Sequence, residues 1–412
     1  MSIRTKLILA LLIFAAVPMI AMGALSFGNA RKSLEESRAA GLESTADLKA
    51  VKIEEFMHGL ETEMRVTQDY FNIRTNLPIV SRLADDTTNP TYMVAKKVLD
   101  DQLTTLQTAR QFLDIMLVNP EGTVVYSSNE GHTSPHVGGP LPDPGNKAFD
   151  EGKRGIYLGD IFQAEVFPNR FAMLASAPLR GLDGNFIGVA AFEIDMDPLY
   201  EFVQETTGLG ETGETLIARR AVGPDAREGA LFLNPVRHDP EAALTKMAVF
   251  GEKEAFPIQE ALRGRSGSGQ SVDYRGEKVI AAWRPIPSVD WGMVAKIDAS
   301  EAFESVTNLR DIGLILGGAF LLLSVLVAAV ISRAIVRPIR SLEEGARVIG
   351  GGDLDHRVGT QARDEVGRLS RAFDQMTSNL QRITAWRDEL DREITSRRQA
   401  EEALRESERR YR

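Results

Sequence analysis

The sequence contains no cysteine and only five histidines among its 412 residues. Without cysteine there can be no disulfide scaffold, no thiolate metal site and no cysteine nucleophile. The absence of cysteine fits both oxidising and reducing compartments. The net charge of −10 does not indicate a nucleic-acid partner, because the basic clusters are local and flank apolar segments. No Gly-x-x-x-x-Gly-Lys-Ser/Thr phosphate loop occurs. These residues therefore carry no catalytic motif and indicate no cofactor.

Two long uncharged runs are present, Leu7–Phe27 and Ile312–Ile331. Each has about 20 mostly apolar residues, enough for a helix to cross roughly 30 Å of hydrocarbon. Arg4 and Lys6 precede the first run, and Arg333 is the first of several arginines after the second. Positive charge favours the cytoplasmic side, so both ends of the chain are predicted to be cytoplasmic.

This pattern predicts a multi-pass protein of the cytoplasmic (inner) membrane, embedded in the lipid bilayer, with a large periplasmic or extracellular segment between the two spans. The alternative for the first run is a cleaved signal peptide. The run is longer than the usual apolar region of about 7–15 residues, and no small-x-small site ends it. The predicted segments are a cytoplasmic N-terminus at 1–6, transmembrane helices at 7–28 and 311–332, and an extracytoplasmic segment at 29–305.

The extracytoplasmic segment begins with a helical pattern, up to about residue 110. Apolar spacing places five residues near one helix face: Leu48, Val51, Phe56, Leu60 and Met64. Such a helix could pair with a copy of itself, which predicts a homodimer.

Strand signals follow the helical region. The stretch FLDIMLVNPEGTVVYSS reads as a hairpin, and GIYLGDIF, RFAMLASAPLRG and NFIGVAAFEID complete five candidate strands. Five more follow: ETLIARRA, ALFLNP, GQSVDYRG, EKVIAAWRPI and WGMVAKID. The sequence therefore predicts an α+β fold with two small antiparallel sheets in tandem, a distal module at about 35–203 and a proximal module at about 204–303.

This layout resembles the double Cache sensor, an extracytoplasmic pair of PAS-like modules after a long helix. The resemblance covers roughly residues 35–303, and TGLGETGETLIARR and VIAAWRPIPSVDWGMVAKID are its most characteristic stretches. It implies that the distal module holds the ligand. The family's amino-acid-binding residues are largely replaced here, by Asn146, Ala148, Phe149, Phe162 and Ala164. The resemblance therefore implies a small polar ligand other than an ordinary α-amino acid.

Glu193 is the strongest candidate ligand residue, because it interrupts an apolar strand and a buried carboxylate needs a partner. A cationic or amine ligand could be that partner. The alternative is an acid at a strand end that faces water or pairs with Arg170 or Arg180. Arg170 could itself hold a carboxylate. The candidate ligand-binding residues are Tyr126, Asp160, Phe162, Arg170 and Glu193.

Other apparent motifs are weaker. Gly208–Gly213 matches Gly-x-Gly-x-x-Gly, but it precedes a strand, which is the wrong order for a dinucleotide site. His132 and His136 have no third ligand nearby, and structural or catalytic zinc normally needs three or four. We therefore predict no metal site.

The inner segment carries two apolar heptad sets separated by Gly350–Gly352. It resembles a HAMP domain through RPI, GGDLDHRV and DEVGRLSRAFDQM, a match assigned to residues 333–386. The resemblance implies parallel helices, a connector running back along the first helix, and a four-helix coiled coil from two copies. The alternative, a plain coiled coil, does not explain three glycines and a connector. The predicted relay residues are Pro338, Leu354, Val358, Glu365, Val366, Leu369, Phe373, Met376 and Leu380.

The last segment, 387–412, ends in RRQAEEALRESERRYR and resembles the signalling helix that leads into a cytoplasmic PAS domain, most often in sensor histidine kinases. We expect the input half of a two-component phosphorelay, acting on a response regulator only through an output domain beyond these residues. The alternatives are the input half of a methyl-accepting chemoreceptor or of a cyclic-dinucleotide synthase. Any enzyme activity would belong to that output, since the single cytoplasmic histidine, His356, has no glutamate beside it.

Overall fold

The computed structural model describes residues 3–129, 136–142, 147–164, 170–359 and 363–410. Contacts divide the chain into two units, one of residues 29–307 and one that combines 1–28 with 308–412. The larger unit has the mixed α/β architecture that the sequence predicts, with a long N-terminal helix and two antiparallel sheets. The predicted fold class is confirmed.

Three helices open the chain: α1 at Ile3–Thr67, α2 at Phe71–Arg82 and α3 at Pro90–Arg110. The five residues expected near one face of α1 do not share one environment within the chain. Leu48 and Val51 are 58% and 54% exposed, because the buried stripe runs through Leu42, Ala46, Lys49, Ile53, Met57, Leu60 and Met64. A lysine within this stripe hides it from a search for apolar spacing.

The distal sheet has the five predicted strands, in the order β2-β1-β5-β4-β3. They are β1 at Phe112–Val118, β2 at Val124–Ser127, β3 at Tyr157–Gln163, β4 at Phe171–Arg180 and β5 at Phe186–Asp195. Two short helices join them, α4 at Lys147–Gly152 and α5 at Asp197–Gln204. One face packs in the same core cluster as helices α1 to α3, and the other face builds a separate apolar cluster.

The proximal sheet has six strands, in the order β8-β7-β6-β11-β10-β9. They are β6 at Glu214–Val222, β7 at Glu228–Phe232, β8 at Met247–Val249, β9 at Gly267–Val272, β10 at Lys278–Ile286 and β11 at Trp291–Asp298. Helix α6 spans Phe256–Leu262, and α7 spans Ala299–Ala302. The sequence did not predict β8, because three residues are too short to show an alternating pattern.

The second unit contains α8 at Glu304–Ile331, a π-helical turn at Ser332–Val336, α9 at Arg337–Gly350 and α10 at Glu365–Arg410. Helices α1 and α8 are long and apolar enough to cross a membrane, and their most apolar windows are almost wholly exposed. Gly352 has a φ of +104°, and the carboxylate of Asp364 accepts a hydrogen bond from Gly367 N at 2.8 Å, which caps α10. The glycine-terminated first helix and the capped second helix agree with the predicted HAMP pattern.

Candidate ligand-binding site

The outer face of the distal sheet, which is the face turned away from helices α1 to α3, carries Glu193. On β5, Ala190, Phe192 and Ile194 belong to the helix-side core, whereas Val189 and Ala191 belong to the outer cluster. Because side chains alternate along a strand, Glu193 projects with Val189 and Ala191. Glu193 is only 3% exposed. The alternative interpretation, in which this acid faces water, is therefore wrong.

Asp114, which the sequence reasoning missed, lies directly opposite Glu193 on the neighbouring strand β1. It is also 3% exposed. Its carboxylate accepts hydrogen bonds from Ser127 Oγ at 2.6 Å, from Ser128 N at 3.0 Å and from Ser128 Oγ at 3.1 Å. Burial raises the pKa of Asp114, although these hydrogen bonds oppose the rise. The signal that singled out Glu193, an acid inside an apolar strand, was equally present here.

Phe162 lies on the same face as Glu193. It stands on β3 opposite Ala172 of β4, and it packs against the outer cluster of the distal sheet. Ala148 and Phe149, which replace residues of the family's amino-acid site, are buried in that same cluster. Asn146 lies outside the described residues. The outer face therefore combines two buried acids with aromatic and aliphatic walls.

Arg170 immediately precedes β4 and forms an ion pair with Asp195, the last residue of β5. Both residues line a cavity of about 590 Å³ together with Asp197 and Glu201 of α5. Arg180 donates a hydrogen bond to the carbonyl oxygen of Gly184 at 3.3 Å. Asp195 lies two residues along β5 from Glu193, so its ion pair places Arg170 at the rim of the outer face.

The structure does not bring Tyr126 and Asp160 to this face. Tyr126 belongs to the helix-side core, where the ammonium of Lys96 lies 5.8 Å from its ring centre. Asp160 is exposed, and its carboxylate lies 3.4 Å from Nε of Arg219 in the proximal module. Of the residues predicted to bind the ligand, Phe162 and, at the rim, Arg170 therefore lie near Glu193, and Asp114 joins them within the described part of the chain.

The strand that carries Glu193 is connected to the long helix α1 through α5. Lys49 of α1 is 6% exposed, and its ammonium donates hydrogen bonds of 2.6 Å to the carbonyl oxygens of Val203 and Glu205, at the C-terminal end of α5. Cations are favoured at this end of a helix, where the last carbonyl groups lack helical partners. Burial lowers the pKa of Lys49 to about 8. A displacement of β5 and α5 would therefore reach α1 through this contact.

The predicted relay residues divide into two groups. Leu354 and Val358 of the connector pack with Val366 and Phe373 of α10 and with two residues of α9, Leu342 and Ile349. Leu369, Met376 and Leu380 are instead 58%, 47% and 42% exposed. Pro338 is the second residue of α9, and Glu365 opens α10 and pairs with Arg368 at 2.9 Å. One face of α10, with Val366 and Phe373, therefore packs on its own chain. The other face, with Leu369, Met376 and Leu380, is exposed and is called the open seam below.

Comparison with known families gives two matches. The family model described as Cache domain matches residues 30–306, which is more than half of the chain. The model described as HAMP domain matches residues 330–382.

Among curated proteins, the chain is similar to the methyl-accepting chemotaxis protein TlpQ of Pseudomonas aeruginosa, with 27% identity over 247 residues, covering 54% of this chain and 32% of that protein. It is similar to the methyl-accepting chemotaxis protein McpA of Pseudomonas putida, with 25% identity over 206 residues, covering 48% and 29%. The chain spans about a third of the length of these relatives. Among solved structures, the sensor domain of the V. cholerae histidine kinase DctB covers 62% of this chain and 95% of its own, with 10% identity and a TM-score of 0.45.

Proposed function

Because the chain belongs to the Cache domain family and continues into a HAMP domain, we propose that it is the sensing and transmitting part of a homodimeric membrane receptor. It takes a small polar ligand at the outer face of the distal sheet, at Glu193, Asp114 and Phe162. The observation that supports this location is the cross-strand pair of acids, both 3% exposed. Buried charge is unfavourable for folding alone, so such a pair is more typical of a functional site than of a plain core.

The proposed transmission begins at the ligand strand β5. A ligand that binds one packing arrangement better than another shifts the equilibrium between them. The contact of Lys49 with α5 offers a route from β5 to α1, and α7 leads directly into α8. The open seam of Leu369, Met376 and Leu380 is then covered by α10 of a second copy, as in a coiled coil.

The proposed topology places residues 29–305 outside the cytoplasmic membrane and residues 333–410 inside. Cysteines introduced at Leu182, which is 61% exposed, and at Ser396, which is exposed, test this in intact cells. An impermeant thiol reagent should label the first and not the second. The reverse pattern would contradict the proposed orientation.

For the output, we propose a histidine kinase, since the charged helix α10 after the HAMP domain resembles a helix that leads into a PAS domain. A methyl-accepting chemoreceptor is the second candidate, because the relatives named above carry that description. The product of the whole gene distinguishes them when it is incubated with radiolabelled ATP and magnesium. Phosphate on a histidine supports the kinase, and its absence would contradict the kinase.

The ligand site is tested by thermal unfolding of the chain in lipid nanodiscs with a library of small polar metabolites. A ligand present at a hundredfold excess over its dissociation constant should stabilise the sensor by about 2.7 kcal/mol. Glu193→Gln should reduce this shift, whereas Glu121→Gln, an exposed acid in the β1–β2 turn of the same module, should leave it unchanged. A shift that survives Glu193→Gln would remove this face from the site.

A further inference from the structure

The Gly-x-Gly-x-x-Gly motif lies in the segment between α5 and β6, residues 205–213, which we call the glycine loop. Gly208 and Gly210 have φ values of +82° and +73°, in the left-handed region that favours glycine. A Cβ at Gly213 would overlap the backbone of Leu209, whose side chain is buried in the core. The path of the backbone therefore requires these glycines, and that path has a consequence for the neighbouring helix.

The glycine loop turns two consecutive backbone N–H groups towards one carboxylate. Glu301 of α7 accepts hydrogen bonds of 2.8 Å from Glu211 N and from Thr212 N, one on each carboxylate oxygen, and it also accepts one from Thr212 Oγ1. Successive N–H groups that converge in this way form an anion-binding nest. The anion here is a side chain of the same protein. Glu301 therefore clamps the glycine loop to α7.

Both ends of the glycine loop are held as well. At its start, Lys49 of α1 donates a hydrogen bond of 2.6 Å to the carbonyl oxygen of Glu205. Just after its end, Glu214 Oε1 lies 2.6 Å from the ammonium of Lys296 on β11, and both side chains are 3% exposed. The same ammonium lies 2.5 Å from Asp273. The glycine loop thus links α1 to α7, while the proximal sheet fixes the residue that follows it.

This link joins the parts of the chain that lead into the two candidate membrane helices. Helix α7 is separated from α8 by Phe303 alone, and α1 and α8 are the helices long and apolar enough to cross a membrane. The guanidinium of Arg31 on α1 also lies 5.1 Å from the ring centre of Phe303. A carboxylate that accepts three hydrogen bonds is the stronger restraint, because each of those bonds involves a charged group, whereas a single cation–π contact is weak at an exposed site.

We infer that Glu301 is a positioning residue, which holds α7 to the glycine loop and so sets the resting packing of the open seam in α10. The inference rests on the proposed function, because it requires that α8 transmits to the HAMP domain of a homodimer. With the clamp intact, α7 keeps one position relative to α1. Without it, the equilibrium between packing arrangements shifts, and this shift needs no ligand.

The experiment measures disulfide formation between Met376→Cys copies of the whole chain in lipid nanodiscs, with no ligand added. Two substitutions break the clamp in different ways. Glu301→Gln removes the charge and one of the two accepting oxygens, and Gly210→Ala places a Cβ where it overlaps the Glu301 carboxylate. The controls are Glu304→Gln, an exposed acid three residues later, and Gly208→Ala, whose Cβ also has a left-handed φ but makes only ordinary contact.

Both clamp variants should change the rate of disulfide formation several-fold and in the same direction, and both controls should keep the wild-type rate. Gly208→Ala and Gly210→Ala share the cost of a left-handed alanine, so a difference between them reports the displacement of Glu301 and not the strain of the loop. Hydrogen exchange on the same samples should be faster at the amides of Glu211 and Thr212 in Glu301→Gln.

Faster exchange with an unchanged rate of disulfide formation would overturn the inference and leave the proposed receptor standing. Unchanged exchange at both amides would show that the clamp does not exist, and equal rate changes in the two alanine variants would assign the effect to strain. If Gly210→Ala does not fold, the comparison of Glu301→Gln with Glu304→Gln decides the same question. If copies with an otherwise wild-type sequence do not cross-link at all, the proposed homodimer fails and the inference fails with it.

Discussion

Replacement of Lys296 by methionine tests how strongly the buried ammonium holds the proximal module together. Methionine keeps the length and apolar stem of lysine but removes the charge. Glu214 then loses the cation that pairs with it at 2.6 Å, whereas Asp273 keeps Arg275 at 2.7 Å. Removing one partner of a buried ion pair costs about 3–5 kcal/mol, because the remaining charge stays desolvated. A free-energy loss of 1 kcal/mol lowers the unfolding temperature by roughly 2–4 °C in a domain of this size class. We therefore expect a drop of about 6–20 °C.

The assay is thermal unfolding followed by tryptophan fluorescence, because Trp283 and Trp291 lie on β10 and β11. Lys246→Met is the matched control. Its ammonium pairs with Asp239 at 2.9 Å, but both side chains are 33% exposed. Such pairs contribute about 0.2–1 kcal/mol. A loss in Lys296→Met no larger than in Lys246→Met would refute the reasoning.

Chemical rescue sharpens the same test. Lys296→Ala removes the side chain beyond Cβ, and n-propylammonium has the three carbons and the nitrogen that are missing. Millimolar n-propylammonium should restore part of the lost unfolding temperature, and n-propanol should restore less. Equal restoration by the alcohol would show that filled volume, and not the cation, stabilises the site.

Three further predictions concern single residues. Burial raises the pKa of Asp114, so the folded state binds more protons than the unfolded state as pH rises above the ordinary pKa of an aspartate, and the free energy of unfolding falls there. Asp114→Asn should therefore unfold at a higher temperature than wild type at pH 7.5 without ligand. The same variant should lose ligand binding. The pKa of Lys49 is lowered to about 8, so the unfolded state binds more protons than the folded state between pH 8 and 10.5. Across that range the free energy of unfolding of wild type, measured in urea, should rise by up to about 3 kcal/mol relative to that of Lys49→Met. A Cβ at Gly345 would overlap Val358, whereas Gly350 has open space around it; Gly345→Ala should cost about 1–3 kcal/mol and speed tryptic cleavage in the connector, and Gly350→Ala should do neither.

The strands and their hairpins could be predicted because their signals are local. Alternating side chains and turn residues, such as Pro120 and Gly122 between β1 and β2, identify a hairpin without any knowledge of its neighbours. The HAMP pattern is local in the same sense, since Gly350–Gly352 and Asp364 mark the end of one helix and the start of the next.

The composition of the site depended on contacts between distant parts of the chain. With Glu193, Tyr126 is predicted from the sequence as a candidate ligand-binding residue. Its face is set by pairing with Leu117 and by the irregular register between Leu117 and Val118, which puts Tyr126 on the helix side. Asp114 gained its significance only from the register that sets it opposite Glu193. The partners of Lys49 are two carbonyl groups at the end of α5, some 150 residues later, so no local pattern identifies them.

The central claim is that a ligand bound at the distal module changes the packing of α10 between two copies. The direct measurement is the rate of disulfide formation between Met376→Cys copies in nanodiscs, since the chain has no cysteine of its own and Met376 is 47% exposed. A ligand identified by calorimetry should change this rate several-fold, and Glu193→Gln should abolish the change while the basal rate stays the same. A rate that is unaffected by saturating ligand, or no cross-linking at all, would contradict the account.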